Sequence, residues 1–186
     1  MKKSLKIALV VGHRNGSQGS YGNTGISEWK YWKEFLAEMI EQLPLDNQYQ
    51  IFLRNDRMGG YTNEMIDLHK RIDVFGADLS VSFHFNGSGD SSIHGNEVLY
   101  CSDGGKKFAE ILNGIFRDNL QNNNRGIKKR EKSDRGGGFL CRGRSKCILV
   151  EPFFGSHQNE FVDGGSQREV LMESFIEFFQ RISEEV

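Results

Sequence analysis

The 186-residue sequence predicts an α/β fold, a single domain over residues 1–186 with one mixed, twisted sheet and helices on both faces. Apolar strand-like runs alternate with stretches of helical periodicity along the whole chain, the order that builds a layered α/β domain. Neither an internal repeat nor a linker divides the chain, and this length is enough to bury a substantial core.

The elements follow in order. Residues 5–11 are apolar almost throughout, as in a central strand covered on both faces. Lys2-Lys3 followed by Ile7-Ala8-Leu9-Val10-Val11 imitates the start of a signal peptide. The run is short and lacks a small-residue cleavage site, so a buried strand is expected, and synthesis in the cytoplasm with it. Gly12 to Gly25 is rich in glycine, serine and asparagine and reads as a loop. From Ser27, Trp32, Phe35, Leu36, Met39, Ile40 and Leu43 recur at helical spacing until Pro44. A strand is expected near Tyr49–Leu53, then a helix from a Thr62 cap to about Phe75.

Leu79, Val81 and Phe83 alternate with Ser80, Ser82 and His84, the pattern of a strand over 78–84 that ends where Gly87-Ser88-Gly89 begins. A strand near Gly95–Cys101 and a helix marked by Phe108, Ile111, Leu112, Ile115 and Phe116 come next. Residues 125–146 carry nine Lys/Arg against two acids and are expected to be irregular. Cys147–Glu151 forms a final strand stopped by Pro152, and Leu171, Phe175, Phe178 and Ile182 mark the last helix.

Composition narrows function. A formal net charge of −1 gives no basic excess for nucleic acid. No apolar stretch reaches the length of an integral membrane segment. Cys101, Cys141 and Cys147 are an odd number without a CxxC pair, which suits free thiols in a reducing compartment.

Three strands end on side chains with metal or proton chemistry: His13, His84 and Glu151. Glu28 stands in the first turn of the helix after the His13 loop. In open α/β sheets the carboxyl ends of strands are where ligands bind. Two histidines and a carboxylate form a recognised catalytic zinc set, and a further carboxylate is the usual general base beside it. Each also has a plain structural explanation, as a loop histidine or a helix-start acid. Glu151 is the most telling: it lies between Cys147-Ile148-Leu149-Val150 and Pro152-Phe153-Phe154, where a lone charge is costly unless paired. His69 has apolar neighbours and reads as core. His94 and His157 read as surface residues or as supports to ligands.

With these residues in hand the chain resembles the zinc-dependent N-acetylmuramoyl-L-alanine amidases of the Amidase_3 type. Gly12-His13 resembles the first-strand Gly-His of that family, and Glu28 falls at its second ligand. Ser82-Phe83-His84-Phe85-Asn86 fits its Ser-x-His-x-Asn, Arg125-Gly126 an Arg-Gly before the last strands, and Val150-Glu151-Pro152-Phe153-Phe154 its catalytic segment. The family usually has Asp-Pro before the first Gly-His, where this chain has Val10-Val11. The resemblance implies a Zn²⁺ cofactor held by His13, Glu28 and His84, Glu151 as the proton-transfer group, and cleavage between muramic acid and L-alanine in peptidoglycan. Arg142 is the candidate donor to the oxyanion. The basic run 125–146 is expected either to be a solvated loop face or to attract stem carboxylates or anionic wall polymers. A phage or prophage endolysin, acting on the cell wall after release, fits this reading. The rival readings are another zinc peptidase or carboxypeptidase, and a catalytically inactive wall-binding module.

Overall fold

The structure, a computed structural model, describes residues 4–90, 92–157, 159–160 and 166–185; Lys2 and Lys3 lie outside them. At its centre is β1 (Lys6–Val11), whose apolar run pairs in parallel with β2 (Gln48–Phe52) on one side and β3 (Leu79–Phe83) on the other. Beyond β3 lies β6 (Lys146–Glu151), also parallel. β4 (Asn96–Tyr100) then runs antiparallel to β6, and β5 (Asn124–Lys129) closes the edge parallel to β4. The six-stranded order is β2-β1-β3-β6-β4-β5.

Alternating side chains divide the core between the two faces of the sheet. Leu9, Val81, Val98 and Ile148 pack with α1 (Glu28–Met39), α3 (Asp103–Asn119) and α5 (Ser166–Glu185). Trp32 of α1 is fully buried against Phe35, Phe83, Phe153 and Phe175. Ala8, Val10, Leu99 and Leu149 face the other way, onto α2 (Tyr61–Phe75) and the short α4 (Gly137–Leu140). No described helix is long and apolar enough to cross a membrane.

Caps explain several boundaries. Ser27 Oγ accepts from Lys30 N at 3.3 Å and starts α1, which passes into a 3₁₀ turn at Ile40–Gln42 before Pro44. Ser102 does the same for α3 through Gly105 N, so α3 begins earlier than its apolar residues suggest. α2 starts at Tyr61 after Gly60, whose φ of 90° only glycine adopts freely, so Thr62 is inside the helix and not its cap.

Two expectations are corrected. Residues 125–146 are not irregular throughout: they contain most of β5, all of α4 and the first residue of β6. β5 carries no apolar alternation because it is an edge strand, where lysine and arginine are tolerated and hinder further pairing. Arg142 accordingly sits in the turn after α4. The second correction is that Cys101 and Cys141 form a disulfide, leaving Cys147 as a buried free thiol. The partners are 40 residues apart, one just past β4 and one capping α4, so nothing local in the sequence marks the pair.

Candidate active site

Register brings the site together. Val11, Phe83 and Val150 are aligned partners across β1, β3 and β6, so the residues that follow them emerge at one edge. Gly12 is pinned there by its N–H to Phe83 O at 2.9 Å. A Cβ on Gly12 would sit 2.3 Å from that oxygen and 2.6 Å from His84 Cε1, so only glycine fits. His13 follows with φ 64°, the one non-glycine residue in the left-handed region among those described. Such backbone costs energy and persists where the surroundings hold it, commonly at functional sites.

Glu28, at the first position of α1, is 1% exposed and lies between the two histidines. Its Oε1 is 2.7 Å from His84 Nδ1 and accepts from Phe85 N at 3.2 Å. Its Oε2 is 3.2 Å from His13 Nε2 and accepts from Ser20 N at 3.1 Å. Burial pushes this carboxyl up, yet the hydrogen bonds and charges of His13 and His84 outweigh it and hold the pKa at about 2. Burial pulls His84 down against the opposing pull of Glu28. Gly19, at φ 77°, closes the loop over this group: a Cβ there would meet His13 Cδ2 at 2.5 Å and Glu28 Oε2 at 2.6 Å.

One ligand atom from each of His13, Glu28 and His84 lies within 4.8 Å of the others, the only such cluster of three or more among the described residues. The donor set fits zinc in type and number, with room for a fourth ligand. The far nitrogen of His84 supports the fit. Its Nε2 is 3.1 Å from Ser82 Oγ, which accepts the N–H there whenever the Nδ1 lone pair is given to a cation.

Glu151, 6% exposed, lines the same cleft. Because β4 is antiparallel to β6, Glu97 pairs directly with Glu151, and a residue from the start of a strand reaches the edge where the others end. Glu97 is 4% exposed and accepts from Arg125 Nε at 2.7 Å and Lys128 Nζ at 2.5 Å. Burial raises its pKa, but those two cations bring it well below the carboxylate range. Glu151 moves the other way: burial first, then the Glu97 charge, push it upward. Paired carboxyls with pKa values driven apart are a common sign of an acid–base site. Sequence reasoning missed Glu97, whose only signal was an acid inside an otherwise apolar strand.

The cleft, about 910 Å³, is also lined by Arg14, Arg54, Tyr61, Glu64, Asn86, Arg130, Arg135 and Arg142. Asn86 is 7% exposed and its Nδ2 has no hydrogen-bond partner among the described residues, leaving a buried donor for a substrate. The charge of Arg135 acts on Glu151, whereas that of Arg142 acts on Tyr61 and His69. His69 is core, 2% exposed against Phe139. His94 and His157 stack on each other at 5.1 Å and line a different cavity, beside Glu160.

The same architecture recurs in solved structures. An N-acetylmuramoyl-L-alanine amidase from Clostridium difficile 630 matches with a TM-score of 0.78 at 18% identity, covering 97% of each chain. The catalytic domain of the CD27L endolysin targeting Clostridia difficile matches at 0.77 and 21% identity, over 95% of this chain and 97% of that one. The catalytic domain of CwlV, an amidase of the same name from Bacillus (Paenibacillus) polymyxa var. colistinus, gives 0.76 at 18%, over 97% and 98%. No curated protein matches the sequence closely enough to count as a relative. Residues 7–163 match the Amidase_3 family model, described as N-acetylmuramoyl-L-alanine amidase, and the span includes every residue of the site: the chain belongs to that family of hydrolases.

Proposed function

We propose that this amidase is zinc-dependent and hydrolyses the amide between the lactyl carbonyl of N-acetylmuramic acid and L-alanine in peptidoglycan. The carrying observation is the convergence of His13 Nε2, a Glu28 oxygen and His84 Nδ1 beside a buried, raised Glu151. Zinc held by these three residues would supply a Lewis acid that polarises the scissile carbonyl and acidifies the attacking water.

The protein's own groups do the rest. Glu151 takes the water proton on its carboxylate and returns it to the alanine nitrogen as the C–N bond breaks. Its burial and the Glu97 charge make it basic enough to accept that proton; a carboxyl at its ordinary pKa would be a weaker base. Glu97, held ionised by Arg125 and Lys128, keeps the Glu151 environment fixed while the proton is carried. Ser82 orients His84. Arg142 lines the cleft, and we assign it to the substrate.

We place the action at the wall, outside the membrane, where a disulfide such as Cys101–Cys141 persists. A lytic enzyme of the endolysin kind is the reading that this setting and the CD27L likeness support. Anionic wall polymers are drawn to the basic stretch 125–146 by long-range attraction, which added salt weakens.

Mass spectrometry of digested peptidoglycan tests the bond. Free lactyl carboxyls and peptides beginning with alanine are expected; new ends inside the peptide would favour a peptidase instead. Glu151→Gln should keep its zinc and lose turnover by roughly 10²-fold or more; full activity in that variant removes Glu151 from the mechanism.

A further inference from the structure

Four of the five arginines lining the cleft fall into two pairs, and the fifth, Arg135, acts by its charge on Glu151. Arg14 and Arg54 are paired: Arg14 Nε lies 3.0 Å from Glu64 Oε1 and Arg54 Nε 3.1 Å from Glu64 Oε2, on a glutamate 3% exposed. Arg130 and Arg142 also line the cleft, neither has an ion pair with an acid among the described residues, and the Nε of each is shut away from water with no hydrogen-bond partner among them. Glu131, next to Arg130, lies 4.0 Å from Lys129 Nζ, and Asp134 Oδ2 accepts from Glu131 N at 2.7 Å, so neither local acid is paired with these arginines. Guanidiniums that line a cleft without an acid beside them are uncommon, and their natural complement is an anion such as a carboxylate.

This pair is also fixed in place. Arg130 N donates to Tyr100 O at 2.8 Å, and Cys141 Sγ lies 3.6 Å from Arg130 O. Cys141 is in turn bonded to Cys101 at the end of β4, and Arg142 is its chain neighbour. The disulfide thus anchors the backbone beside Arg142, the bond to Tyr100 ties that of Arg130 to β4, and a preorganised site loses less on binding than a mobile one.

We propose that Arg130 and Arg142 form a carboxylate subsite in the catalytic cleft, which takes the free carboxylate of the peptide stem beyond the alanine. The inference rests on the amidase reading. In muramoyl stems the residue after L-alanine is a glutamate linked through its side chain, so its α-carboxyl is either free or amidated. The subsite separates these two chemistries: the free acid satisfies both guanidiniums, and the carboxamide, neutral and partly a donor, does not.

The test uses zinc-loaded enzyme and two muramoyl-tripeptide substrates, each with the glutamate side chain joined to a C-terminally amidated third residue, that differ only in the glutamate α-carboxyl, acid against amide. Wild type should favour the acid by about tenfold or more in kcat/KM, the scale of a charge-assisted contact. Arg130→Ala with Arg142→Ala should lower that acid-to-amide ratio about tenfold, and Arg142→Lys by less. Equal rates on the two substrates in wild type overturn the proposal, whether or not the variants fold. A ratio unchanged in folded variants overturns it too. Calorimetry with the corresponding free tripeptides, acid and α-amide, runs beside the kinetics, and a tenfold preference for the acid is expected. If neither substrate is cut, the amidase reading falls while the binding arm still judges the subsite. Inorganic phosphate inhibiting through Arg130 and Arg142 without any acid preference would assign the pair to a phosphate and overturn the stem carboxylate.

Discussion

Replacing Glu97 with Gln removes one charge from the site and little volume. Four causes raise Glu151, in order burial, the Glu97 charge, the hydrogen bond between the two carboxyls and the Glu28 charge, and the substitution removes the second and changes the third. Unit charges about 4 Å apart interact by roughly 4 kcal/mol at an effective dielectric of 20. Arg125 and Lys128 already neutralise part of the Glu97 charge. About a third of that figure is a reasonable remainder, or roughly one pH unit at 1.36 kcal/mol per unit. The sign follows from the role. Glu151 must be ionised to accept a proton, so the rate rises with pH through its pKa, and removing a neighbouring negative charge makes ionisation easier. The acidic limb of kcat/KM against pH should therefore move down by about one unit in Glu97→Gln, with zinc content equal to wild type. A limb that stays in place, or moves to higher pH, would show that Glu97 does not set the basicity of Glu151.

Further outcomes follow from the same geometry. Gly19→Ala puts a methyl within 2.7 Å of His13 and Glu28. It should weaken zinc binding by roughly 10- to 100-fold by displacing two ligands while replacing neither, as read by competition with a chelator; unchanged affinity would show that the loop does not constrain the site. Cys101→Ser or reduction opens a bridge spanning 40 residues. Stability should fall by about 4 kcal/mol on the chain-entropy account, or roughly 10 °C in Tm, and a melt insensitive to reductant would contradict it. His69 is buried and its pKa is pulled down to about 4. A lowered histidine contributes stability that is complete above its unfolded value near 6.5 and is lost as pH falls towards 4. His69→Phe should flatten that part of the stability curve in denaturant titrations at pH 7, 6 and 5; a slope equal to wild type would remove His69 as its source.

Much of this was legible in the chain because strand ends are. An apolar run that stops at a histidine or an acid declares both the element and the polar group it delivers, as Val11 before Gly12-His13, Phe83 before His84 and Val150 before Glu151 do. Glu28 was readable from Ser27, whose hydroxyl starts the helix and fixes which residue stands in its first turn. Strand direction was not readable. Glu97 reaches the site only because β4 runs against β6, and its backbone pattern would look the same in either direction. β5 escaped notice for a related reason: an edge strand is held by one neighbour and its side chains need not alternate. The disulfide depends on where α4 lands against the end of β4, a contact between segments far apart in sequence.

Anomalous scattering at the zinc edge, from crystals of the protein loaded with one equivalent of zinc, tests the central claim most directly. A single peak is expected in contact with His13 Nε2, Glu28 and His84 Nδ1, with Glu151 facing it across the cleft. No peak there, or zinc bound only among His94, His157 and Glu160, would contradict the account.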